Sequence, residues 1–221
     1  GQVGTVRGWL RWLGDDQIGA DPVAAHCAAW CAVLTGDPQP VRRWLPVLES
    51  ADDNGPLPDG IRSPRSSAAL LRGCFGFDGI EVMRDSARTA AELESDPWSP
   101  WYALARTALG SALYLSGEPD AAAAPLTEAL ASTASIPSAR VAALSVLALV
   151  RVEQGQGRQA QQLVRAARQL VEESDLAETQ QGSTACTAMG AVYVAQGRTA
   201  EARTEFEHAL RIRRRWLGIT P

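Results

Sequence analysis

The side chains best suited to chemistry in this chain are four cysteines, Cys27, Cys31, Cys74 and Cys186, and two histidines, His26 and His208. Cys27 and Cys31 stand four apart, so on a helix they share a face and could offer two thiolates to a metal ion. A structural zinc site needs four ligands, and neither histidine completes a recognisable spacing with the cysteines, so no metal site is expected. The cysteines read as reduced thiols that pack as small apolar residues. His26 adjoins Cys27, but neighbours on a helix point about 100° apart, so adjacency makes no dyad. Neither histidine has a serine or cysteine nucleophile in a recognisable motif, and no catalytic residue is assigned: the chain reads as a non-enzyme. The acidic pairs Asp52-Asp53 and Glu172-Glu173 read as solvated charge.

Charge narrows the partners. The 21 basic residues are all arginine and face 25 acidic ones, for a net charge of −4, so no polybasic surface for nucleic acid is expected. Arg211, Arg213, Arg214 and Arg215 close a helical segment, where cations offset the macrodipole and cap free carbonyls. With no lysine the chain cannot hold a G-x-x-x-x-G-K-[ST] phosphate loop, and no cofactor is expected. The longest apolar stretch, residues 141–150, is too short to span a bilayer, and no signal peptide opens the sequence. No membrane contact is expected, and a cytoplasmic location is the default reading.

The elements that must position these residues are helices. Five times an apolar helical segment ends at a sharp break and a second one begins, at Gly36, Phe77-Asp78, Gly117, Gly155 and Gly197, with spacings of 41, 40, 38 and 42 residues. This period is the mark of a helical-repeat solenoid, and it moves the question of function from an active site to a binding surface. The expectation is an all-α, right-handed superhelical solenoid of about eleven antiparallel helices in one domain over residues 1–221. It consists of five pairs, at about 20–50, 64–95, 98–133, 137–174 and 178–216, and one orphan helix over residues 5–13. The dipeptides Asp21-Pro22, Asp37-Pro38, Ser99-Pro100 and Glu118-Pro119 mark helix starts, and Asp78 and Thr199 read as further caps. Residues 51–64 read as a surface loop. Trp9, Trp12, Trp44 and Trp216 lie on apolar stripes and read as core. Both ends lack a polar capping helix, so the chain is expected to be a piece of a longer array.

The last unit has the sharpest pattern. Cys186, Met189, Gly190 and Tyr193 precede Gly197, and Ala202, Phe206, Ala209 and Leu210 follow it. These are the spacings of a tetratricopeptide repeat, W-x2-L-G-x2-Y then A-x3-F, with Cys186 where the tryptophan usually stands. Gly190 and Ala202 must be small where two backbones approach, while Tyr193 and Phe206 fill the space between units. In register with them stand Leu109-Gly110-x2-Leu113 with Ala122-x3-Leu126, and Leu147-Ala148-x2-Arg151 with Ala160-x3-Val164.

The forty-residue period, Trp44-Leu-Pro after Thr35-Gly-Asp-Pro38, Ser99-Pro-Trp-Tyr102 and the segment from His208 to Gly218 together resemble the MalT-like tetratricopeptide region of large ATP-binding LuxR-type transcriptional regulators. The resemblance implies an array between a nucleotide-switch ATPase and a helix-turn-helix. It also implies sensing of a small-molecule inducer or a regulatory protein, with self-association in the full-length protein. The alternative is a stand-alone scaffold that captures peptide segments in its groove.

In either case the inward side of the first helices is the expected binding surface. Its candidate residues are His26, Trp30, Arg72, Arg106, Tyr114, Arg151 and Val194, with Trp101 near the rim. Arg72, Arg106 and Arg151 share nearly the same phase in three units and could bind an acidic, phosphorylated or polyhydroxylated ligand by bidentate hydrogen bonds. The competing account pairs each arginine with a local carboxylate.

Overall fold

The computed structural model describes residues 2–35, 39–52 and 55–216. Among these the chain is a helical solenoid without strands. Five pairs follow one another: α3 (Pro22–Leu34) with α4 (Gln39–Ser50), α5 (Pro64–Phe75) with α6 (Ile80–Leu93), α7 (Pro100–Leu115) with α8 (Pro119–Ala131), α9 (Pro137–Glu153) with α10 (Gly157–Glu173), and α11 (Gln180–Ala195) with α12 (Thr199–Trp216). Ahead of them lie two helices, where one orphan was expected: α1 (Gln2–Leu13) and α2 (Asp15–Ala20), twelve helices in all among the described residues. The split falls at Gly14, whose φ of 80° and ψ of 158° end one helix and redirect the chain into the next.

The period has a local cause in the turns. In three successive pairs a glycine with φ near 80° or just below (Gly117 81°, Gly155 71°, Gly197 74°) closes the first helix. Its N–H donates to the carbonyl three residues back, and the next N–H to the carbonyl five back, as Gly117 to Tyr114 and Glu118 to Leu113. This left-handed termination costs little only for glycine. The Gly36 break and the Asp37-Pro38 start lie outside the described residues. At the Phe77-Asp78 break, α5 ends on Gly76 (φ 58°), and Gly79 stands at the N-cap of α6 without a side-chain bond. Asp78 is therefore not the cap it resembles, because Arg72 holds its carboxylate. Thr199 begins α12 instead of preceding it. Asp21, Ser63 and Ser99 do cap α3, α5 and α7, accepting from Val23, Ser66 and Trp101.

Packing between pairs is asymmetric. Each first helix touches the first helix of the next pair, α3 on α5, α5 on α7, α7 on α9, α9 on α11, and α4, α6, α8 and α10 each touch the following first helix; the second helices stand farther apart, with Arg168 of α10 reaching Glu205 of α12 only through its side chain. The first helices thus form the continuous layer and the second helices the spaced outer one, as a curved stack requires. The core follows this layering. Leu126 and Ala122 meet Ala143, Leu147 and Val150 of the next pair, and Val164 meets Met189 and Val192. Full burial of each such leucine or valine stabilises by about 1.5–3 kcal/mol. Close approach is built on small residues: a Cβ on Gly73 would lie 2.9 Å from Ala87 Cα, and one on Gly190 2.5 Å from the Phe206 ring.

Two expectations need correction. Trp44 is buried at 5% exposure, but Trp9 and Trp12 are exposed at 67% and 86%. Leu10 and Leu13 are the residues of α1 that reach the core, which leaves the tryptophans on the solvent side. The Trp216 side chain lies outside the described residues. The 51–64 segment is also no simple surface loop. Leu57, Ile61 and Ser63 are buried, Leu57 N–H donates to the Ile61 carbonyl at 2.9 Å, and Leu57 and Ile61 pack with Leu70, Ala90 and Ala105 in one cluster. No helix of the described residues is long and apolar enough to cross a membrane.

Candidate functional site

The packed loop carries a polar hub. Asp59 Oδ2 lies 2.7 Å from His26 Nε2, and His26 Nδ1 lies 2.8 Å from Ser67 Oγ. Trp30 Nε1–H donates to the same Ser67 oxygen at 3.1 Å, which frees the hydroxyl proton for Nδ1 and places the ring proton on Nε2 toward Asp59. Trp101 Nε1–H donates to the Asp59 carbonyl at 3.1 Å. The rings of Trp30 and Trp101 stand 5.3 Å apart, each within 6.4 Å of the His26 ring. Ser, His and Asp in line have the residue types of a nucleophilic relay, but Ser67 is fully buried and its oxygen already accepts from Trp30. The arrangement welds α3, the loop, α5 and α7 together.

Partial burial opposes ionisation of Asp59, but the hydrogen bond from His26, with that from the Ile61 N–H, outweighs it and holds the carboxyl below its usual range. A carboxyl whose folded pKa is depressed stabilises above its unfolded value and loses that contribution as pH falls through the folded one. The stability difference between the native chain and Asp59→Ala is therefore expected to be constant near neutrality and to shrink below about pH 4. Thermal unfolding of both proteins across this range checks it, and a difference that persists into strong acid would exclude the Asp59 carboxylate as its source.

The remaining predicted residues are held by separate local partners. Arg72 donates to Glu49 at 2.8 Å and to Asp78, joining α5 to α4 and to its own turn. Arg106 Nε lies 3.2 Å from Glu128 Oε2, though the N–H is not aligned for a hydrogen bond, and its guanidinium lies over the Tyr102 ring at 4.9 Å. Arg151 donates to Gln154 at 2.6 Å, and Gln154 to Asp120 at 2.8 Å. Tyr114 donates to Glu153 at 2.8 Å; burial and this carboxylate push its pKa up to about 12. Of the candidates, the structure brings His26, Trp30 and Trp101 together.

Sequence reasoning missed two features of the last pair. Folding gathers Cys186, Glu205 and His208, with ligand-capable atoms all within 4.8 Å of one another. Burial first, and then Glu205, push the Cys186 thiol up to about 11, so it is no ready nucleophile. The second feature is an apolar face left uncovered among the described residues. Val194, Phe206 and Leu210 are 54%, 39% and 50% exposed and line an open cleft of ≈ 320 Å³ with Ala202, flanked by Arg203 and Glu207. In the unit register Phe206 corresponds to Leu126 and Val164, which are 0% and 1% exposed. The register itself was the signal that could have shown this face.

No curated protein and no solved structure gives a significant match to the chain. Residues 140–215 match the family model described as Tetratricopeptide repeat, which covers the last two pairs and marks them as a tetratricopeptide region.

Proposed function

We propose that this chain is a non-catalytic scaffold for protein partners, and that its Val194–Phe206–Leu210 face seats an amphipathic helix, of a partner or of a further repeat. One observation carries the reading. In each of the two preceding pairs the residue equivalent to Phe206 is covered by the following first helix, Leu126 by α9 and Val164 by α11, whereas among the described residues no helix follows α12 to cover Phe206. A face shaped by repetition to receive an apolar helix stripe recognises that same shape in a partner. Its rim pairs Arg203 with Glu207 at 2.8 Å, so the partner helix would present apolar residues at its centre and mixed charge at its edges.

A photo-crosslinking residue at Leu210 tests this, with exposed Leu115 on α7 as the control. The expected product is a crosslink at Leu210, mapped by mass spectrometry to an amphipathic helical segment and lost in Phe206→Glu. Equal yields at the two positions, or a product indifferent to Phe206→Glu, reject the face. The first-helix groove residues Trp30, Arg72, Trp101, Arg106, Tyr114 and Arg151 remain a second proposed contact. Partner affinity unchanged in Arg106→Ala and Arg151→Ala would remove it.

A finer reading, a cytoplasmic sensor region of a LuxR-type regulator answering to an inducer or regulatory protein, is supported by the resemblance around Trp44, residues 99–102 and His208. Its test is the adjoining coding sequence: a phosphate loop upstream and a helix-turn-helix downstream support it, and their absence rejects it.

A further inference from the structure

Cys186 sits on α11, and Glu205 and His208 sit three apart on α12, the i, i+3 spacing that puts two ligands on one helix face. The Cys186 Sγ and His208 Nδ1 lie 3.9 Å apart, and His208 Nε2 is buried without a hydrogen-bond partner, so the protein alone leaves the imidazole poorly satisfied. The same three positions in the preceding unit hold Leu144, Leu163 and Ala166, and Leu144 and Leu163 belong there to an ordinary apolar cluster. Packing of the repeat therefore does not call for a thiol, a carboxylate and an imidazole at these positions.

We infer that Cys186, Glu205 and His208 form a binding site for a zinc-class divalent ion, with water in the fourth position, clamping α11 to α12. The donor set of one sulfur, one nitrogen and one oxygen is what a borderline-soft ion of tetrahedral preference takes. With Zn–S about 2.3 Å and Zn–N about 2.0 Å, neighbouring ligand atoms in a tetrahedron stand about 3.5 Å apart. Cys186 Sγ and His208 Nδ1 start 3.9 Å apart and no pair exceeds 4.8 Å, so the three side chains need to close by about 0.4–1.3 Å, which half-buried side chains can do by rotamer changes. Arg168 of α10 donates to Glu205 Oε1, holding the carboxylate in place while leaving its second oxygen to ligate, as outer partners of ligating carboxylates do. On binding, the thiol proton leaves to solvent and the sulfur–metal bond takes its place.

The test uses the untagged 221-residue chain, stripped with chelator and titrated with Co(II). The expected result is one equivalent bound, with a thiolate-to-cobalt charge-transfer band and visible ligand-field bands of tetrahedral strength, both displaced by Zn(II). His208→Ala and Glu205→Leu should weaken binding by at least about tenfold, and Arg168→Gln by about tenfold. Cys186→Leu should abolish the charge-transfer band. The triple variant Cys186→Leu, Glu205→Leu, His208→Ala copies the residues of the preceding unit, and its circular dichroism shows whether loss of binding occurs in a folded chain. A wild-type chain without the band, or a band that survives Cys186→Leu because other thiols bind, overturns the site.

Discussion

Replacing His26 with alanine is expected to lower the unfolding free energy by about 3 kcal/mol, combining the cavity left by a buried ring with the loss of two buried-side hydrogen bonds. The ring is 5% exposed, and its two nitrogens meet Asp59 and Ser67. Asp59 is open enough to recruit water. Ser67 is not, and its hydroxyl proton loses its acceptor. Two variants separate polarity from volume. Ser67→Ala removes the hydrogen bonds to His26 and from Trp30 at little volume and should cost about 2 kcal/mol. His26→Phe keeps ring volume and removes both nitrogens, and should still cost about 2 kcal/mol. Equilibrium denaturation measures all three. If His26→Phe is as stable as the native chain, the ring acts as filler and the polar account fails.

Gly73→Ala is the second large effect, a loss of about 2 kcal/mol from overpacking even after the helix-propensity gain of about 1 kcal/mol. The new methyl would sit 2.9 Å from Ala87 Cα, 3.0 Å from its nitrogen and 3.1 Å from its Cβ. Ala87 is completely buried, and backbone cannot rotate aside, so α6 as a whole must shift off α5. Gly190 makes the contrast. A methyl there meets the ring of Phe206, which is 39% exposed and can swing toward solvent, so Gly190→Ala should be close to neutral. Denaturation midpoints at unchanged slope give the ranking. Equal losses at the two sites would show that the α5–α6 crossing is no more rigid than the α11–α12 crossing.

The solenoid was legible because its signals are local. Turn glycines at 117, 155 and 197 and alanines at 122, 160 and 202 recur in fixed register, and each reports on a helix end or a close approach a few residues away. The break at Gly14 was not legible, since Gly4 and Gly8 stand in the same segment and remain helical. Trp9 and Trp12 show the limit of periodicity: an amphipathic stripe says which residues share a face, not how far a neighbour extends over it. The candidate site was legible only in part. Trp30 and Trp101 were named singly, but their contact depends on how α3, α5 and α7 stack. Asp59 sits in a segment whose Asp, Asn, Gly and Pro content reads as solvent-facing, and its role appears only once Leu57 and Ile61 anchor it. Cys186 and His208 are 22 residues apart, a separation no ligand motif contains, because a turn and two helices set it. The arginines share a phase, yet Arg72 and Arg106 reach carboxylates on α4 and α8, whereas Arg151 turns to Gln154 at the end of its own helix.

A stack of repeats in which each unit feels only its immediate neighbours can fray one unit at a time from either end. The contacts through Trp101 change that rule in the first half of this chain. Its ring meets Trp30 and His26, two units away, and its N–H holds the Asp59 carbonyl, so the first unit is tied to the third as well as to the second. The first three pairs are thereby bound into one block that opens as a whole, while the last two retain the unit-by-unit independence of a simple array. A partner acting on the far end could order or release those last pairs without loosening the block behind them.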